Sequence, residues 1–308
     1  CRGRLFGRDT TVDCVATDSR HSFGEEEQPL FVAIQGTHHD GHMFIADLYK
    51  RGVRSFVVEQ VPVEAAQEYP EAVFLVSECP LKSLQRLAER HREEMQLPVV
   101  GITGSNGKTV VKEWLYQILA PHYRVTRSPR SYNSQIGVPL SVWLLNQHSE
   151  IGIFEAGISQ VGEMQALRAI VQPTIGIMTN VGEAHQENFA SKEAKCLEKL
   201  ALFQDSEVLI YCADDALVSN GVEAMRYAGR RFAWTKEGKA DAEVTVDAEQ
   251  TDANATQITY TYQEKTLIFS LARAMSSQTK RIFLSPVNSL VKKRLQSLVQ
   301  KAPSRLQF

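Results

Sequence analysis

The stretch GITGSNGKT, residues 101–109, constrains this chain more than any other feature. It follows the apolar run LPVVGI, residues 97–102, and opens into residues 108–120, whose apolar spacing is helical. Glycines between a buried strand and a helix start let the backbone turn tightly and aim several N–H groups at one anion. The positive end of the helix points there too. The pattern therefore predicts a nucleotide-phosphate loop formed by Thr103, Gly104, Ser105, Asn106, Gly107, Lys108 and Thr109. Lys108 is placed to reach the β- and γ-phosphates and Thr109 to ligate Mg²⁺. The common Walker pattern has glycine six residues before the lysine, where this chain has Ile102. The competing reading is a chance glycine-rich turn, which the strand–loop–helix context disfavours.

Around this loop, apolar runs at 151–154, 174–178 and 208–212 read as strands, and helical patterns fall at 108–120, 162–170 and 191–203. Such alternation predicts an α/β fold with a mainly parallel sheet covered on both faces. A separate block precedes it, with strands expected at 30–34, 55–58 and 73–76, a helix near 43–51 and an amphipathic helix over 81–95 that Pro98 ends. Beyond residue 241 the texture turns to β-prone alternation, as in QITYTY at 257–262. The expected organisation is a small N-terminal α/β domain over 1–95, a phosphate-loop domain over 96–264 and a basic tail over 265–308.

Composition narrows the setting. The 308 residues are 43% hydrophobic, enough for buried cores, and no apolar run approaches the roughly 20 residues of a membrane span. Five cysteines with wide spacing and no CxxC pair suggest neither a disulfide framework nor a zinc site, and a reducing cytoplasm is the expected location. Net charge is −2, yet residues 265–308 hold nine Lys or Arg and no Asp or Glu. That tail has no dense basic cluster interleaved with aromatics, so nucleic-acid binding is not expected.

Several segments then resemble the Mur ligase family in order along the chain. GITGSNGKTVVKEWL at 101–115 is similar to the family's ATP loop. SYNSQIGVPL at 131–140 resembles its Asn-rich turn, with Asn133 retained and Ser134 where the second Asn usually stands. FEAGISQVGEM at 154–164 resembles the strand end that offers a glutamate to magnesium, and TNVGEAHQENFAS at 179–191 the family's TN-x-G-x-AH-x-E stretch. Asp214-Asp215 after LIYC also fits. Within the family, Ser105-Asn106-Gly107-Lys108-Thr109 followed by Lys112-Glu113 is most similar to the D-alanyl-D-alanine-adding branch. In the first block, Thr17-Asp18-Ser19-Arg20 and the LFVAIQGTHHDGHMFI stretch at 30–45 resemble the uridine-diphosphate-binding domain that this branch shares with the tripeptide-forming one.

The resemblance implies an ATP-dependent peptide ligase of cell-wall synthesis. Its substrates would be ATP, UDP-N-acetylmuramoyl-tripeptide and D-alanyl-D-alanine, and the reaction would pass through an acyl phosphate. It implies a small UDP-precursor-binding domain, a P-loop central domain and a third domain that the residues after 265 do not match. It also implies Lys108, Asn133, His185 and Lys199 as catalytic residues and two Mg²⁺ ions held by Thr109, Glu155, His185 and a carbamylated Lys199. Ser19, Arg20 and Asp40 would serve as precursor-binding residues, and the complete ligase would be monomeric. The bland alternatives are a solvated loop acid for Glu155, a structural histidine for His185, a solvated helix lysine for Lys199 beside Lys192 and Lys195, and a capped turn for Ser19-Arg20. The start at Cys1 and the unmatched end suggest a fragment. Some relatives are fused to an alanine racemase, although no pyridoxal-phosphate signature occurs here. A catalytically incomplete piece that only binds nucleotide or UDP-sugar, or the tripeptide-forming ligase, are the other expectations.

Overall fold

The computed structural model describes residues 3–272 except 9, 25, 26, 37, 38, 240 and 252–254. The chain divides into two compact units at residues 92 and 93. The division falls inside a helix that ends at Glu94, before Pro98.

The N-terminal unit contains β1 (Arg4–Phe6), β2 (Cys14–Ala16), β3 (Pro29–Val32), α1 (Ile45–Lys50), β4 (Ser55–Val58), α2 (Ala65–Glu68), β5 (Val73–Val76) and α3 (Pro80–Glu94). Its five-stranded sheet has the order β1-β5-β4-β3-β2, with β1 antiparallel and the rest parallel. The continuous apolar runs PLFV and SFVV are buried at every position, as strands covered on both faces require. Phe56 stacks on Phe74 at 5.4 Å between ring centroids, at the centre of that core. The helix expected over 43–51 is split. Asp40 accepts from His42 N–H and caps a 3₁₀ turn over Gly41–Phe44, and α1 follows it.

The second unit contains β6 (Val99–Thr103), α4 (Lys108–Leu119), β7 (Val125–Arg127), α5 (Gly137–Val142), β8 (Ile151–Glu155), α6 (Glu163–Val171), β9 (Ile175–Met178), α7 (Lys192–Leu200), β10 (Val208–Cys212), α8 (Ala216–Ala224), β11 (Arg230–Thr235), β12 (Val244–Thr251), β13 (Ala255–Tyr262) and β14 (Lys265–Ala272). They form one nine-stranded sheet of order β14-β13-β12-β11-β10-β9-β6-β8-β7. It is parallel from β7 to β12, and β13 and β14 add an antiparallel hairpin at one edge. Val111, Leu115 and Leu119 form the buried stripe of α4 against Val100, Ile102, Ile153 and Ile177 of the sheet.

Strand order reverses at β6, which lies between β9 and β8. In open α/β sheets the crevice at such a reversal, beyond the carboxyl ends of the strands, is where ligands bind. Residues 265–272 were expected to begin a tail and instead belong to the sheet, because each pairs with a residue of β13 across the Gln263-Glu264 turn. The rest of the expected tail, residues 273–308, lies outside the described residues.

Candidate nucleotide and metal site

Thr103 ends β6, fully buried, and donates to Ala156 O at 2.8 Å. Gly104 follows with φ +142°, a conformation that side chains rarely adopt, and a Cβ there would lie 1.9 Å from Thr179 Oγ1. Gly107, at φ +83°, caps α4. These two glycines give the loop its shape.

Thr179 and Asn180, just past β9, clamp that shape. Ser105 N–H donates to Asn180 O at 2.8 Å, Asn106 N–H to Asn180 Oδ1 at 3.2 Å, and Thr179 Oγ1 to Asn106 O at 2.7 Å. Ser105 Oγ accepts from Gly182 N–H at 2.8 Å. With Ser105 and Asn106 amides engaged, the anion-facing groups are those at the start of α4, where the first N–H groups of a helix have no intrahelical partner.

Lys108 begins α4 and folds back to donate to Gly104 O at 2.8 Å and Ser105 O at 3.3 Å. Burial lowers its pKa, and Glu155 works in the opposite direction. Thr109, next on the helix, donates to Glu155 Oε2 at 2.9 Å and lies 3.2 Å from Ser131 Oγ.

Glu155 is the last residue of β8 and is 0% exposed, which removes the solvated-acid alternative. Its N–H donates to Ser128 Oγ at 3.3 Å. Its Oε1 is buried without a hydrogen-bond partner and faces Lys112 Nζ at 3.5 Å. Lys199 reaches the same loop from α7, with Nζ 3.4 Å from Gly104 O. At 3% exposure it is no solvated helix lysine. Desolvation, followed by the charges of Lys108 and Lys195, brings its pKa down to about 8. Lys195 is buried as well, but donates to Gly182 O at 2.5 Å.

Asn133 lies beside this group through its backbone, whose carbonyl accepts from Gly157 N–H at 2.7 Å. Ser134 Oγ accepts from the N–H of Gly137, the first residue of α5, at 3.1 Å. His185 is exposed at φ +58° on the loop after β9 and hydrogen-bonds to none of these groups among the described residues. No group of three His, Cys, Asp or Glu side chains suited to a metal occurs among the described residues. Thr109 and Glu155 are the two oxygen donors that a direct contact joins.

In the N-terminal unit, Arg51 donates to Ser19 O and, at 2.5 Å, to His21 O, tying that turn to the end of α1. Arg20 pairs with Asp18 at 2.7 Å, with both side chains largely exposed, and that contact pulls the Asp18 pKa down to about 2. Asp40 is already engaged: Oδ1 accepts from His42 N–H at 2.9 Å and lies 2.6 Å from Nδ1, while His42 Nε2 accepts from Glu59 N–H. Sequence reasoning gave no individual site role to Lys112, Ser131, Thr179 or Asn180, although all four lie in segments that resemble the family. Their visible signal was position, at strand ends and one helical turn beyond Lys108.

Fold and site together define a phosphate-loop α/β nucleotide-binding domain preceded by a small mixed-sheet domain. The Mur ligase middle domain family matches residues 102–280, more than half of the chain. The chain belongs to the Mur ligase family. It is 33% identical over 214 residues to the UDP-N-acetylmuramoyl-tripeptide–D-alanyl-D-alanine ligase of Bacillus subtilis, covering 68% of this chain and 46% of that protein. The Synechocystis ligase of the same name is 33% identical over 248 residues, 79% of this chain and 53% of that one. The chain thus spans about half the length of the curated relatives it matches. Its fold is shared with the MurF structure from Acinetobacter baumannii, with TM-score 0.81, 23% identity and coverage of 100% of this chain and 66% of that one. It is shared too with the Thermotoga maritima MurF in complex with ADP, with TM-score 0.77, 24% identity, and 93% and 64% coverage. No helix among the described residues is long and apolar enough to cross a membrane.

Proposed function

We propose that this chain is the precursor-binding and ATP-binding part of a cytoplasmic ligase that joins D-alanyl-D-alanine to UDP-N-acetylmuramoyl-tripeptide. The observation that carries the reading is the convergence of Lys108, Lys199 and the Thr109–Glu155 pair on one loop at the strand-order reversal. The names of the curated relatives support the substrates.

In the first half-reaction the terminal carboxylate of the tripeptide attacks the γ-phosphorus of ATP. The bond to the bridging oxygen breaks, leaving ADP and an acyl phosphate. In the second, the amine of D-alanyl-D-alanine attacks the acyl carbon, the C–O bond to phosphate breaks, and the amine loses a proton. Lys108 leaves its carbonyl partners for the phosphate oxygens and neutralises charge that spreads over them. The amides at the start of α4 hold the phosphates still.

Thr109 and Glu155 fit a magnesium ion, because both are hard oxygen donors and Glu155 Oε1 is a buried oxygen without a hydrogen-bond partner. When bound, the ion supplies charge neutralisation for the phosphates. Lys199 is the candidate for reaction with CO₂: its Nζ forms a bond to the carbon and loses its proton, giving an anionic carbamate suited to a second ion. Burial among other lysines favours the neutral amine that this needs. His185 enters this reading from the family resemblance alone. Ser19, Arg20 and Asp40 are the residues that this reading gives to the uridine-diphosphate precursor.

The test is D-alanyl-D-alanine-dependent phosphate release by the gene product at its natural length, with UDP-muramoyl-tripeptide and ATP. Release that ignores the dipeptide, or that prefers a single amino acid on a dipeptide precursor, would replace this reading with a hydrolase or the tripeptide-forming ligase.

A further inference from the structure

Lys112 is a charged side chain at 0% exposure, and the chemistry above makes no use of it. It stands four residues after Lys108, on the same side of α4. Its ammonium donates to Ser128 O at 2.8 Å and to Arg130 O, and lies 3.5 Å from Glu155 Oε1 and 3.3 Å from Glu113 Oε1. Its hydrogen bonds thus go to the turn after β7, while its charge faces the carboxylate at the end of β8.

A second, independent observation lies in the turn itself. Arg130 has φ +45°, which is uncommon for a residue with a side chain and persists only where the surroundings hold it. The hydrogen bond from Lys112 to the Arg130 carbonyl is such a hold. The same turn carries Ser131, whose hydroxyl lies 3.2 Å from Thr109 Oγ1. It ends at Asn133, whose carbonyl accepts from Gly157, two residues past Glu155. Ser128 closes the circuit by accepting from Glu155 N–H. Thr109, Glu155, Lys112 and residues 128–133 form one ring of contacts with Lys112 at its centre. A buried ion pair is seldom justified by stability alone, since apolar residues of similar volume do as well or better.

We propose that Lys112 is a positioning residue that sets the Glu155 carboxylate and the 128–133 turn in one register, so that Thr109 and Glu155 present their oxygens to a magnesium–nucleotide complex. This rests on the reading of Thr109 and Glu155 as the magnesium-binding pair.

The experiment is titration calorimetry of ADP binding to the chain, with and without Mg²⁺, for the wild type, Lys112→Met, Glu155→Gln and the double variant. Lys112→Met should lose about tenfold or more of the Mg²⁺ enhancement, while metal-free ADP affinity stays within about threefold. The double variant should lose no more enhancement than Glu155→Gln alone, because Lys112 acts through Glu155. If Lys112→Met does not fold, the comparison of the double variant with Glu155→Gln decides, since removing both partners leaves no unpaired buried charge. Full enhancement in Lys112→Met, equal loss with and without metal, or additive losses in the double variant would each overturn the proposal. ADP binding by the wild type with no Mg²⁺ enhancement would overturn it together with the metal reading, a result recognisable before any variant is made.

Discussion

The hydroxyl of Thr109 donates to Glu155 Oε2 at 2.9 Å across 46 residues of sequence, joining the first turn of α4 to the carboxyl end of β8. If that pair binds magnesium, Thr109→Ala should weaken magnesium–ADP binding by about tenfold or more, and Thr109→Ser should restore most of it. Calorimetry at fixed Mg²⁺ checks this. Equal affinities for the alanine and serine variants would mean that the hydroxyl is a helix-packing group and nothing more.

Lys108 should be the most sensitive position for turnover. In the complete ligase, Lys108→Ala should reduce ATP turnover by roughly three powers of ten or more, with thermal stability little changed. A steady-state phosphate assay beside a melting curve separates the two effects. Turnover within tenfold of the wild type would remove the lysine from the transferring phosphoryl group.

Gly104→Ala should abolish nucleotide binding without unfolding the second unit. The new Cβ would meet Thr179 Oγ1 at 1.9 Å, and φ +142° strains any side chain. Adding Thr179→Ala relieves the closest clash but leaves the strain and the Asn180 backbone at 3.0 Å, so recovery should be partial. Full nucleotide affinity in the single variant would show that the loop adapts.

Lys199 should react with CO₂ in a pH-dependent way. Its pKa is pulled to about 8 from the ordinary 10.5, so the neutral amine fraction rises as pH climbs through 8. In magnesium-free buffer with ¹³C-bicarbonate, the carbamate signal should grow from about pH 6.5 to about pH 8 and be missing in Lys199→Arg. The same depressed pKa means that charging Lys199 opposes folding below pH 8. That cost is relieved as pH rises from about 8 towards 10.5, so the wild type should gain stability over this window relative to Lys199→Met. A signal that persists in the arginine variant, or a flat stability difference, would count against the buried amine.

The chain taken by itself should bind nucleotide and ligate little. Holding an amine against an acyl phosphate can contribute roughly 7–11 kcal/mol of the barrier, and the chain spans about half of its relatives. Phosphate release from the 308-residue chain should therefore not respond to D-alanyl-D-alanine. Robust dipeptide-dependent release would place the acceptor site within these residues.

Local pattern was enough for much of the scaffold. The runs SFVV, VFLV and VLIYC become β4, β5 and β10 with the boundaries read from sequence, because a strand covered on both faces needs an unbroken apolar run. The phosphate loop was legible for the same kind of reason: tight turns, an anion-facing helix start and a lysine all lie within nine consecutive residues. The 3₁₀ turn before α1 was not legible, since it depends on Asp40 turning its carboxylate back onto His42. Nor was the strand at 265–272, where a basic composition hid a partner one turn away.

The charged centre of the site was decided only in three dimensions. Sequence could nominate Glu155 and Lys199 by resemblance, but each had a solvated alternative that only packing could remove. Thr179 and Asn180 clamp the loop from more than 70 residues away, and Lys199 approaches Gly104 across 95. Lys112 entered the sequence reading only within the Lys112-Glu113 resemblance, and its burial against Ser128, Arg130 and Glu155 is a product of the fold. The type and order of elements follow from short-range periodicity, which a sequence carries in itself. Whether a charge is buried, and against which partner, follows from what the fold packs over it, because desolvation and Coulomb energy depend on distances through space.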